Sequence, residues 1–231
     1  MKAKNQKEEQ RIISLIVGTT GFFWGNPLKS FLLIIVNKVL RFCGYSIQRY
    51  YPRGFIKFLC GYYKGKKDLI GAEIGVYNGE NAINILKYLS IKKLYLVDPY
   101  QNYQDYSKTK DPAANQDKLD IAKIQALQKL SEFKNKIVWI NKRSDIAHKE
   151  IEEKLDFVYI DANHSYEFVK RDMENYYPLL KVNGVLCGHD IEPSMWPGIL
   201  FAFTDFIKEK NLPYRIIEAD WIIVNNSNFK F

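Results

Sequence analysis

The chain has few of the residues that usually announce a function. Among its 231 residues are three cysteines and three histidines. Cys43, Cys60 and Cys187 are far apart and odd in number, without the spacing of a zinc site or a disulfide framework. They predict a reduced, cytoplasmic protein. No internal repeat or low-complexity tract is visible. The apolar runs near the N-terminus, Ile12–Val17 and Phe31–Val36, fall well short of the roughly 20 residues a spanning helix needs. Gly18, Gly21, Gly25, Asn26 and Pro27 separate them. The first eleven residues are mostly polar and no clear small-residue cleavage site follows, so no secretory signal is expected.

Acidic residues are nearly absent from the first 67 positions. That stretch holds 13 Lys and Arg against Glu8 and Glu9, a net charge of +11. The remaining 21 basic and 24 acidic residues sum to −3. This balance argues against a nucleic-acid groove across the main part of the chain, and the N-terminal part is expected to meet something anionic. The expected division is residues 1–67 and residues 68–231. Two arrangements suit the first segment. It can be a helical cap on the main domain. It can also lie peripherally on an anionic membrane surface, with Phe22, Phe23 and Trp24 in the interface and Lys29, Lys38, Arg41, Arg49 and Arg53 near lipid phosphates.

What is present is core-forming material, 47% hydrophobic and 15% aromatic. From Asp68 onward, short apolar runs alternate with helical patterns. DLIGAEIGV, KKLYLVDPY, KIVWIN, LDFVYID and GVLCGHD read as strands, and YRIIEADWIIVN as a closing pair. Ile83, Leu86 and Leu89 have helical spacing; Ile121, Ile124, Leu127 and Leu130 recur every three residues and are expected to form another helix face. Pro197 is expected to open the last helix. The polar stretch Gln101–Asp117, with Tyr103 and Tyr106, reads as a loop able to close over a ligand. The alternation predicts an α/β fold with a largely parallel sheet covered on both faces and an antiparallel pair at its end.

Ligands of such sheets bind beyond the carboxyl ends of the strands. Five strand ends carry polar or glycine signals: Glu73 to Gly79, Asp98, Ser144–Asp145, Asp161 to His164, and His189–Asp190. The turn GAEIGVYNG differs from the dinucleotide fingerprint because Tyr77 stands at its middle glycine position. With Glu73, Gly75 and Gly79 it suits a nucleoside without a pyrophosphate. Asp98, 25 residues after Glu73, can accept both hydroxyls of a ribose.

EIGVYNGENA, YLVDPY and DFVYIDANHSYEFVKRDMENYYPLLKVNGVLCGHDI, in that order, resemble the class I S-adenosylmethionine-dependent methyltransferases. The closer resemblance is to the branch of macrocin-type sugar O-methyltransferases and catechol O-methyltransferases. It runs from about Asp68 to Asn225 and implies a Rossmann-like fold of seven strands, the last antiparallel. It also implies that the Glu73–Gly79 turn, including Tyr77, holds the methionine part of S-adenosylmethionine, that Asp98 holds the ribose, and that Ser144 and Asp145 lie near the adenine.

Methyl transfer to a hydroxyl needs help in removing a proton. A histidine base or a divalent metal can supply it. The resemblance implies that Asp161 and Asp190 ligate a divalent metal such as Mg²⁺ or Mn²⁺ and that His164 is the base. His189, a third candidate ligand, departs from the pattern: it stands where these relatives have an acid. An imidazole there suits Mn²⁺, Fe²⁺ or Zn²⁺ better than Mg²⁺. Without a metal, His164 and Asp190 would handle the proton.

The expected activity is O-methylation of a sugar, glycan or related small molecule. Acceptor specificity is expected in the loop, the N-terminal cap and a neighbouring subunit of a homo-oligomer. Two other readings stand beside it: a membrane-docking module that keeps the fold without catalysis, and a nucleic-acid methyltransferase. The second conflicts with DANHSY, which stands where amino-methylating enzymes carry Asn/Asp-Pro-Pro-aromatic.

Overall fold

The computed structural model describes residues 52–102, 115–191 and 195–231. The described residues belong to one compact unit. The expected cap or membrane segment thus lies outside the described residues, except for its last part, and so does most of the expected closing loop. Among the described residues no helix is long and apolar enough to cross a membrane.

Seven strands form one sheet: β1 (Leu69–Ile74), β2 (Ile91–Val97), β3 (Ile137–Ile140), β4 (Leu155–Ile160), β5 (Leu180–Gly188), β6 (Tyr214–Ile217) and β7 (Asp220–Val224). Their order is β3-β2-β1-β4-β5-β7-β6. All pairings among β1 to β5 are parallel, and β7 runs antiparallel to both of its neighbours, β5 and β6. The expected Rossmann-like sheet and its antiparallel last strand are therefore present. β4 is buried at every position, as a central parallel strand covered on both faces must be.

Helices α1 (Gly54–Tyr62), α2 (Glu80–Tyr88), α3 (Gln116–Lys129), α4 (Ser144–Ala147), α5 (Tyr166–Tyr176) and α6 (Pro197–Lys210) connect and cover the strands. Ile83, Leu86 and Leu89 are buried as their spacing predicts. Pro197 opens α6, where its missing N–H costs nothing. α1 precedes the boundary expected at Asp68 yet belongs to the same unit as the sheet. Phe55, Ile56 and Leu59 are its fully buried face.

The expected face of α3 is corrected. Ile121, Ile124 and Leu127 are about half exposed, whereas Leu130 is buried as expected and is joined by Leu119, Ala122 and Ala126. A strict spacing of three drifts around a helix that turns about 100° per residue. Leu119, Ala122 and Ala126, spaced three and then four apart, stay on one side.

Strand pairing continues one residue past the strands and aligns the polar ends. The Gly75 N–H donates to Val97 O at 2.9 Å, Asp161 N–H to Ile74 O at 2.8 Å, and His189 N–H to Ile160 O at 3.2 Å. Polar residues from β1, β4 and β5 thereby share one edge of the sheet.

Candidate active site

A cleft of about 360 Å³ opens at that edge. Its floor is the turn after β1. Gly75 has φ 88°, in the left-handed region, and packs directly on the backbone of Asp161. Only a residue without Cβ fits there. Glu73 is 1% exposed, and its Oε1 accepts from Asn81 Nδ2 at 3.1 Å. Burial pushes its carboxyl up to about 8, against the opposing effect of Asn81.

Asp98 holds this turn in shape. Its Oδ2 accepts from the backbone N–H groups of Val76 (3.0 Å) and Tyr77 (2.9 Å), and its Oδ1 accepts from that of Tyr100 (2.8 Å). Tyr100 Oη donates to Tyr77 O at 2.8 Å. The acid expected to take a ribose thus also braces the glycine turn, and it lines the cleft together with Glu73, Gly75 and Tyr77. Gly79 starts α2 from a left-handed conformation.

Of the two residues expected near an adenine, Ser144 lines the cleft, together with Arg143, Phe168 and Arg171. Asp145 instead engages Arg143 at 3.1 and 2.8 Å and stands 3.7 Å from Arg171. Burial raises its carboxyl, but these guanidinium groups more than offset it and hold the group below the usual range.

Asp161 and His164 also line the cleft, and Asp190 and His189 stand next to them. His164 Nε2 lies 3.9 Å from Asp161 Oδ1 and 3.4 Å from Asp190 Oδ2. Its ring centroid is 4.3 Å from that of Trp196. α6 can approach this loop because Gly198 has no Cβ; one would stand 2.7 Å from His164 O. Asp190 has φ 58°, an uncommon conformation for a non-glycine residue. Its Oδ1 meets His189 Nδ1 at 2.7 Å. Burial lowers the His189 pKa, but the bond to Asp190 more than compensates and holds it above the ordinary value.

Sequence reasoning missed one neighbour. Arg53, at the N-terminal end of α1, points its Nη1 to Asp161 Oδ2 at 2.6 Å and to Tyr159 Oη at 2.5 Å. The placement of Arg53 near lipid phosphates is therefore corrected. Burial pushes Asp161 up, but neighbouring His164 and Arg53 pull it down further, to about 2.

Among the described residues, Asp161, His164 and Asp190 can bring three ligand atoms within 4.8 Å of one another. The geometry thus draws in His164 rather than His189. The three atoms suit a divalent cation by chemistry and spacing. Yet Asp161 already holds a guanidinium and Asp190 already meets an imidazole. A divalent metal does not fit beside Arg53 as it stands.

A family model described as "Methyltransferase domain" matches residues 72–191, more than half of the chain. The chain belongs to the class I S-adenosylmethionine-dependent methyltransferases. A search of curated proteins finds no match. Solved structures share the fold at low identity. A candidate caffeoyl-CoA O-methyltransferase from Staphylococcus aureus has a TM-score of 0.56 at 12% identity, over 92% of this chain and 97% of that one. The calicheamicin methyltransferase CalS11 has a TM-score of 0.56 at 13% identity, over 94% and 92%. A candidate methyltransferase from Streptococcus mutans, in complex with S-adenosylhomocysteine, has a TM-score of 0.51 at 14% identity, over 68% and 89%. In this methyltransferase the turn after β1 and Asp98 line the same cleft as Asp161 and His164.

Proposed function

We propose that this methyltransferase acts on a hydroxyl group of a sugar, glycan or related small molecule, with His164 as the proton acceptor. The observation that carries the reading is the place of His164, in the cleft and between the carboxylates of Asp161 and Asp190. When bound, S-adenosylmethionine supplies a sulfonium methyl whose S–C bond breaks, leaving the electron pair on sulfur, as the acceptor's O–C bond forms. The released hydroxyl proton passes to the His164 imidazole. Asp161 and Asp190 favour the imidazolium that results. Trp196 covers the ring on one side and limits its rotation.

The test is transfer of a radiolabelled methyl group from S-adenosylmethionine to a panel of sugars, polyols and phenols. His164→Ala is expected to lower turnover by about 100-fold or more, the usual worth of a positioned base. Calorimetric binding of S-adenosylhomocysteine should stay unchanged. Turnover equal to the wild type would remove His164 from this role, and transfer confined to amine acceptors would remove the hydroxyl assignment.

A further inference from the structure

We propose that Arg53 is the resident cation of the acceptor site and takes, at Asp161, the place that a divalent metal would take. On this view methyl transfer is metal-independent, and Arg53 is a positioning residue that supplies positive charge beside the acceptor oxygen.

Arg53 is built into the site from several sides. Its Nη1 makes both contacts, to Asp161 and to the hydroxyl of Tyr159. Tyr159 is fully buried and stacks on Phe55 with ring centroids 3.9 Å apart. It donates in turn to Asp220 Oδ1 at 3.1 Å. Asp220 Oδ2 accepts the backbone N–H of Phe55 at 2.9 Å, near the N-terminus of α1, where a carboxylate is favoured. α1, β4 and β7 therefore fix the guanidinium together. The Arg53 side chain is 35% exposed, and it lines the same cleft as Glu73 and His164. A guanidinium carries five donors in a rigid fork, so one that holds a carboxylate can still receive a ligand oxygen.

Charge gives the second line of support. A dication shared by Asp161, His164 and Asp190 would have the Asp161 carboxylate in common with a guanidinium 2.6 Å from its Oδ2. Like charges at such separations repel strongly in a partly buried site. Occupancy of Asp161 by metal and by Arg53 is therefore mutually exclusive, and the network behind Tyr159 favours Arg53.

This inference rests on the reading above only in taking the Asp161–His164–Asp190 corner as the acceptor site. Its test uses no turnover, so failure to find an acceptor leaves it standing. Mn²⁺ is titrated into the full-length protein, saturated with S-adenosylhomocysteine, and free Mn²⁺ is read by electron paramagnetic resonance. The wild type is expected to bind no Mn²⁺ at Asp161 below about 1 mM, an affinity typical of weak sites. Arg53→Ala is expected to bind at least tenfold more tightly, Arg53→Lys to stay as weak as the wild type, and Arg53→Ala with Asp161→Asn to lose the gain. Micromolar binding by the wild type that disappears in Asp161→Asn overturns the proposal, even if the Arg53 variants fail to fold. So does folded Arg53→Ala with wild-type affinity.

Discussion

The carbonyl oxygen of Asp161 lies 2.0 Å from where a Cβ on Gly75 would stand. The turn after β1 and the loop that carries Asp161 and His164 are thus in backbone contact. Gly75→Ala must move one or both. The left-handed conformation alone costs on the order of 1–3 kcal/mol for a residue with a side chain. The variant is expected to melt at a lower temperature and to bind S-adenosylhomocysteine at least about tenfold more weakly, or about 1.4 kcal/mol. Calorimetry and a melting curve check both. Unchanged affinity would mean that the turn does not shape the cofactor site.

Asp98 braces the turn after β1, which separates it from a side chain that only lines the cleft. Three backbone N–H groups converge on its carboxylate. Asp98→Asn replaces one acceptor oxygen by an NH₂ facing backbone donors. Leaving buried donors unpaired costs about 1–3 kcal/mol. Both stability and affinity for S-adenosylhomocysteine should fall. A loss of affinity without loss of stability would show that the bracing role is not significant.

The strand ends were legible in the sequence because each apolar run stops where the chain reaches the open edge of the sheet. Asp98 and Asp161 follow those stops directly, and the structure brings them with Glu73 and His164 to one cleft; Asp190 Oδ2 lies 3.4 Å from His164 Nε2. Arg53 was not legible. It reaches Asp161 across 108 positions, from a helix that no strand alternation marks, and its basic neighbours suggested a surface instead. The involvement of Arg143, Phe168 and Arg171 escaped for a related reason: they come from turns and helix faces whose direction depends on tertiary packing. His189 meets Asp190, but the left-handed backbone of Asp190, which no periodicity reveals, goes with a geometry in which His164 completes the three-atom group.

The face of α3 offers a direct check of packing against pattern. Ile124 is 56% exposed and Leu119 is 5% exposed. Ile124→Lys is expected to change stability by less than about 0.5 kcal/mol, as surface substitutions do. Leu119→Ala is expected to cost about 2–5 kcal/mol through the cavity it leaves. Urea denaturation of the two variants gives the comparison; the reverse ranking would restore the face expected from the sequence.

Asp172, on α5, makes stability depend on pH. Its side chain is 1% exposed, and among the described residues its Oδ1 has no hydrogen-bond partner. Burial raises its carboxyl to about 7, against the opposing effects of Ser144 and Arg171. A carboxyl raised in the folded state favours folding while protonated. That contribution is complete below the unfolded value of 3.8 and is lost as pH rises toward about 7. Asp172→Asn cannot ionise and keeps it. The variant should match the wild type near pH 4, become progressively more stable relative to it as pH increases, and level off above pH 7. A shift of this size corresponds to a difference on the order of 4 kcal/mol. Parallel denaturation curves across that range measure it; a constant difference between the two proteins would show that Asp172 does not titrate there.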